Sequence, residues 1–100
     1  MRIPTARICF LILGLAGWVA LAQELPYRVV PNWAQLPPDW NLGETSGVAK
    51  DSRGHIYVFN RGPHPLLEFE SNGKFVREIG AGLFASSHGV RVDAQDNIWT

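Results

Sequence analysis

From Ser46 onward the chain alternates short apolar runs with turn residues, and the runs have the two-residue period of β-strands. Gly47-Val48-Ala49 is a short, small-residue strand suited to a crowded inner position. Asp51-Ser52-Arg53-Gly54 reads as a tight turn, with Asp bonding to nearby backbone and Gly taking the left-handed position. His55-Ile56-Tyr57-Val58-Phe59 is β-branched and aromatic and forms a second strand, on which His55 faces outward. After the loop Asn60 to Pro65, Leu67 and Phe69 alternate against Glu68 and Glu70 in a third strand. Ser71-Asn72-Gly73 is a hairpin turn, and Lys74 to Ile79 is a fourth strand.

The opening of this pattern returns. Ser46-Gly47-Val48-Ala49-Lys50-Asp51 through Ile56-Tyr57 is echoed by His88-Gly89-Val90-Arg91-Val92-Asp93 through Ile98-Trp99, an offset of 42 residues. Gly47 pairs with Gly89, Val48 with Val90, Asp51 with Asp93, Ile56 with Ile98 and Tyr57 with Trp99. Self-similarity at a period of roughly 40–50 residues marks a propeller or an array of stacked units. Four strands joined by hairpins and then a restart describe one propeller blade. The expected fold is therefore an all-β propeller, of which this chain holds about one and a third blades: the first blade with its linker over 46–87 and a truncated second blade over 88–100. Such units need stacked neighbours, so the chain alone is not expected to close into a stable domain.

The earlier part of the chain reads differently. Met1 to Arg7 carries two positive charges and no acid, Ile8 to Leu21 is apolar, and Ala20-Leu21-Ala22 offers a small-residue cleavage site. That order is a secretory signal over 1–22, which implies a secreted or periplasmic product. Residues 23–45 then form a connecting arm, because Pro26, Pro31, Pro37 and Pro38 exclude a helix. Trp33 and Trp40 are expected to plug into the body of the domain and pin this arm.

Composition narrows the function classes. The chain is 46% hydrophobic and 18% charged with a formal net charge of zero, which excludes a disordered tail and a strongly basic nucleic-acid binder. Cys9 is the only cysteine and falls within the signal, so the remainder has no disulfide. Asp51, Asp93 and Asp96 read as turn residues and not as metal ligands. Asp96 replaces Gly54 because Asp tolerates the left-handed region. His64, in a Pro-flanked loop, reads as a surface or locally paired residue.

WD-type blades are disfavoured, since no Trp-Asp follows Gly54-His55 at the strand that requires it. The Gly-Val-x-x-Asp-x-x-Gly/Asp-x-Ile-aromatic repeat fits NHL-type blades better. Ser46-Gly47-Val48-Ala49, Asp51-x-x-Gly54-x-Ile56-Tyr57-Val58-Phe59-Asn60-Arg61-Gly62-Pro63-His64-Pro65 and Ser87-His88-Gly89-Val90 together resemble the first blades of the peptidyl-α-hydroxyglycine α-amidating lyase family. The secreted bacterial six-bladed propellers grouped with that family also match the arm Val29-Val30-Pro31-Asn32-Trp33 to Trp40-Asn41-Leu42-Gly43-Glu44. The resemblance covers about residues 29–100.

The resemblance implies a peptidylamidoglycolate lyase, which splits a peptide ending in α-hydroxyglycine into a peptide amide and glyoxylate. It implies zinc held by three histidines facing a central channel, with His88 as the first. It implies Arg61 as an active-site arginine and a structural calcium held by backbone carbonyls at the positions of Val48 and Val90. A histidine at the first position of an inner strand suits such a ligand, because side chains there converge on the axis. An arginine's fixed charge suits a substrate carboxylate or oxyanion. The other two histidines and a tyrosine base would belong to later blades, so no activity is expected of these residues alone. Two other readings stand beside it: a non-catalytic NHL-type propeller that binds a protein or peptide ligand, and a propeller-type lactone hydrolase. The acids here sit in turns, which counts against the hydrolase.

Overall fold

A computed structural model describes residues 24–100; the signal peptide expected over residues 1–22 lies outside the described residues. Among the described residues the structure is all-β, and no helix is long and apolar enough to cross a membrane. Strands β1 (Thr45–Lys50), β2 (Ile56–Asn60), β3 (Leu66–Phe69) and β4 (Phe75–Ile79) form one antiparallel sheet in the order β1-β2-β3-β4. A second sheet consists of β5 (Arg91–Val92) and β6 (Ile98–Trp99). Strand β5 lies against β1.

Each turn has a local cause. Gly54 sits at φ 89° and Gly73 at φ 90°, which a side chain disfavours. Asp51 Oδ1 accepts the backbone N–H groups of Arg53 and His55 at 3.0 and 2.9 Å. Asp93 Oδ1 repeats this with Gln95 and Asn97, both at 2.9 Å. Asp96 takes the left-handed conformation at φ 62°, as its alignment with Gly54 requires. Two bulges shape the sheet. Ser46 is the extra residue between the pairs Thr45–Asn60 and Gly47–Phe59, and its hydroxyl donates to the Phe59 carbonyl at 3.1 Å.

Both faces of the first sheet are apolar, and both are covered. Val58, Leu67 and Phe69 on one face pack under Trp33, Leu36, Trp40 and Leu42 of the arm. Tyr57, Phe59 and Leu66 on the other face pack against Phe84, Val90, Val92 and Ile98, from the linker and the second unit. Burying a side chain such as Phe69 or Leu67, at 0 and 1% exposure, contributes about 1.5–3 kcal/mol each. The Pro/Trp-rich arm supplies the cover for one of these faces, with Trp33 and Trp40 packed into the body of the domain. Trp33 meets Phe69 with ring centroids 5.4 Å apart, and Trp40 meets Phe75 edge-on at 5.6 Å. A parallel bridge from Gln35 to Lys74 ties the arm to the start of β4.

Two further expectations change. His55 does not face outward; it turns onto the face that the second unit covers and pairs with Glu68. His88 does not start a strand, because β5 begins only at Arg91. The corresponding Ser46 lies inside β1, where a complete partner strand holds it.

Candidate functional site

Two of the residues singled out by the sequence, Arg61 and His88, meet at the Ser87 carbonyl. Arg61 follows β2 directly, and its loop is built around Asn60, which is 1% exposed. Asn60 Oδ1 accepts the N–H groups of Gly43 and Gly62 at 2.9 and 2.8 Å, while Nδ2 donates to the carbonyls of His64 and Pro65. Gly43 and Gly62 lie so close that a Cβ on either would overlap the other's backbone. This fixes the start of the Arg61 side chain. Its Nε donates to the Ser87 carbonyl at 3.1 Å, and its NH1 donates to Glu44 Oε2 at 3.2 Å. The arginine is half exposed and Glu44 is 83% exposed, so the ion pair is weak and replaceable by another anion.

Ser87 is buried and precedes His88, so one peptide links the arginine contact to the histidine. Two depressions flank the segment Phe84–Ser87. One, of about 150 Å³, is lined by Arg61, Gly62, Pro65 and Ser86. The other, of about 440 Å³, is open and is lined by His88, Phe59, Leu83 and Phe84. Phe59 and Phe84 meet edge-on at 4.9 Å and form its apolar wall. Val90 is 7% exposed and packs beside Gly47, whereas Val48 on β1 is 60% exposed. Arg61 and His88 thus lie to either side of the Ser87 carbonyl, Val90 packs where β1 meets the second unit, and Val48 is not brought to them. Sequence reasoning missed Glu44, Asn60 and Phe84 here. The Asn60-Arg61-Gly62 run was the available signal for Asn60 and the arm ending at Glu44 the signal for Glu44; nothing local marked Phe84.

His88 is exposed and belongs to no group of three ligating side chains among the described residues. His55 and His64 are engaged elsewhere, with Glu68 at 2.6 Å and Glu78 at 3.1 Å. His64 also stacks on Trp40 with centroids 3.4 Å apart and planes at 2°. One imidazole is one ligand of a tetrahedral zinc site, so the described residues fit a single corner of such a centre and not a whole one.

Asp51, His55 and Glu68 do bring three ligating atoms within 4.8 Å of one another. Their surroundings argue against a cation. Asp51 Oδ2 already accepts from Arg53 Nε and NH2, at 3.2 and 2.9 Å, and from the Tyr57 hydroxyl at 3.1 Å. Glu68 Oε2 accepts from Arg77 Nε at 2.6 Å. Two guanidinium groups match the two carboxylates, and a divalent ion would have to displace them. Burial raises the Asp51 pKa, but Arg53, the His55 N–H and the Tyr57 hydroxyl outweigh it and bring the group down to about 2. Burial likewise opposes ionisation of Glu68, and Arg77 and His55 overcome it, leaving its pKa lowered. No buried side-chain nitrogen or oxygen among the described residues lacks a hydrogen-bond partner. The cluster is a satisfied structural ion network.

Comparison with known proteins returns no match to any family model, curated protein or solved structure.

Proposed function

We propose that this chain carries the opening blades of a secreted six-bladed propeller of the lyase-like type. Its Arg61–His88 edge would form part of the site for a peptide ending in α-hydroxyglycine. The observation that carries this reading is the Arg61 Nε bond to the Ser87 carbonyl. It orients a guanidinium beside the peptide that leads into His88. With Nε engaged, the terminal nitrogens of Arg61 point their donors away from Ser87. A substrate carboxylate exchanges with the exposed Glu44 and gains a charge-assisted contact. His88 holds one zinc position, in concert with two histidines from further blades, and zinc when bound acts as a Lewis acid on the substrate's oxygen. The carbonyls of Val48 and Val90 would contribute to a structural calcium site.

The test is zinc content and lyase activity of the secreted protein with α-hydroxyglycine-terminated peptides. His88→Ala should lose both together. Arg61→Ala should keep zinc and raise KM roughly tenfold or more, which corresponds to a lost carboxylate contact of about 1.4 kcal/mol. Wild-type zinc in His88→Ala would remove His88 from the site. A protein that binds peptides through this edge without zinc or turnover would instead be a non-catalytic NHL-type binder. The apolar Phe59–Phe84 wall of the open depression is the observation that favours that second reading.

A further inference from the structure

The turn that joins β3 to β4 is also the dock for the arm. Trp33 Nε1 donates to the Ser71 carbonyl at 3.1 Å, the Gln35 N–H to the Gly73 carbonyl at 2.9 Å and Gln35 Nε2 to the Asn72 carbonyl at 3.4 Å. The Trp33 carbonyl packs directly on Gly73, which is buried, while Asn72 is exposed. Asn72 is the one asparagine of the chain followed by glycine. A side chain on the following residue shields that residue's backbone nitrogen, and glycine has none, so this nitrogen is open to the asparagine's own amide. Asn72 Oδ1 accepts the Lys74 N–H at 3.0 Å, which folds the side chain back along the turn. The peptide between Asn72 and Gly73, however, is held at both ends. Its N–H donates to the Glu70 carbonyl at 2.9 Å and its carbonyl accepts from Gln35. Ring closure needs that peptide to turn and its nitrogen to give up its proton, so both bonds must break first.

We propose that Asn72–Gly73 is a self-modification site gated by the arm. With the arm lifted, the Gly73 nitrogen bonds to the side-chain carbonyl carbon of Asn72. The bond from that carbon to Nδ2 breaks, and Nδ2 leaves as ammonia with the Gly73 amide proton. Water then opens the cyclic imide at either carbonyl, giving aspartate or isoaspartate; the net change is hydrolysis of one amide, with no oxidant or reductant. Isoaspartate puts one more carbon into the main chain between residues 72 and 73. Gly73, at φ 90° with the Trp33 carbonyl against it, has no room for that displacement. The bonds from Trp33 and Gln35 to the turn then cannot all re-form, and the arm no longer seals Val58, Leu67 and Phe69. The turn thus keeps an irreversible record that the arm has been released. The inference is independent of any chemistry at Arg61 and His88.

Ageing the secreted protein in mildly alkaline buffer tests it, with the product at Asn72 read by peptide mapping and mass spectrometry. Conversion in the folded protein should be roughly tenfold or more slower than in urea, and Trp33→Ala should close most of that gap. In the isoaspartyl fraction of aged protein, the Gln35 amide should exchange with deuterium roughly tenfold or more faster than in fresh protein. Asn72→Asp, which adds the charge without the extra carbon, should keep that amide slow. The aged wild-type protein carries the test if Trp33→Ala fails to fold. Conversion of the folded protein at the urea rate overturns the proposal, as does no conversion in urea. So does a folded Trp33→Ala that converts no faster than wild type. A slow Gln35 amide in the isoaspartyl fraction also overturns it, because the arm would then tolerate the product. A fast one in Asn72→Asp does the same, because charge and not the added carbon would release the arm.

Discussion

The Tyr57 hydroxyl donates a 3.1 Å hydrogen bond to Asp51 Oδ2, six residues back along the chain. Trp99 Nε1 does the same to Asp93 Oδ2 at 2.9 Å in the second unit. In each unit one carboxylate oxygen caps the turn and the other holds the aromatic ring of the following strand. The aspartates are thus fixed by two duties at once, which is why both recur at the same spacing.

Acid should weaken the fold through these groups. The folded-state pKa of Asp51 is depressed from 3.8 to about 2, so its contribution to stability is present above pH 4 and is lost as pH falls toward 2. Asp93 is lowered to the same level by Trp99 and Asn97. Asp51→Asn should lower stability at pH 7 and flatten its pH dependence between about 4 and 2. Urea midpoints across that range check the slope, and an unchanged slope would remove Asp51 from the acid response.

At the alkaline end the sign reverses. Burial, the bond to Asp51 and the nearby Glu68 raise the Tyr57 hydroxyl from 10.0 to about 12. Stability is complete below pH 10 and falls as pH rises through 12, because the unfolded chain releases that proton first. Tyr57→Phe should cost about 1 kcal/mol at neutral pH, the worth of one hydrogen bond, and should remove this alkaline loss. Denaturant titration at pH 8 and pH 11 measures both effects.

Glu68 is 2% exposed and its side-chain partner Arg77 is 60% exposed. Removing the arginine leaves Glu68 Oε2 without its donor and the buried carboxylate dependent on His55, whereas removing the carboxylate frees an arginine that water can solvate. Arg77→Ala should therefore destabilise more than Glu68→Gln at neutral pH, by about 1 kcal/mol after allowance for solvent screening. The difference should vanish at a pH low enough to protonate Glu68. Equal losses at neutral pH would place the strength of the pair elsewhere.

Two glycines separate strain from collision. A Cβ on Gly73 would overlap the Trp33 carbonyl oxygen, and the residue sits at φ 90°. Gly82 has φ 76° but open space around it. Gly82→Ala should cost about 1 kcal/mol of backbone strain, and Gly73→Ala clearly more, with loosening of the arm. Thermal midpoints of the two variants rank them. Trp40→Ala tests the arm independently and should cost up to about 3 kcal/mol, the lower end for a buried tryptophan.

The strands were legible because period-two patterning and turn residues coincide at Asp51 to Phe59 and again at Ser71 to Ile79. The restart at Gly89 was legible because the same residues recur. The placement of Glu68 and His55 was not, since alternation gives the face of a residue but not what covers that face. Here the second unit covers it, and Arg77 and His55 satisfy the charge that results. The arm was legible as proline-rich chain anchored by Trp33 and Trp40. Its breadth as a cover depends on Leu36 and Leu42, which have no periodic pattern to announce them. At the candidate site, Arg61 and His88 came from a motif, while their meeting through the Ser87 carbonyl is a product of packing between distant segments.

The arm's cover of the first sheet also sets an order of events. Every residue packed on that face lies between Trp33 and Phe75. A chain emerging amino-terminus first can complete this half of its core before the linker at Phe84 or the second unit has appeared. The opposite face must wait for Val90 and Ile98. The first sheet is thus able to settle one layer while synthesis continues, leaving its other side as the template on which the next unit condenses.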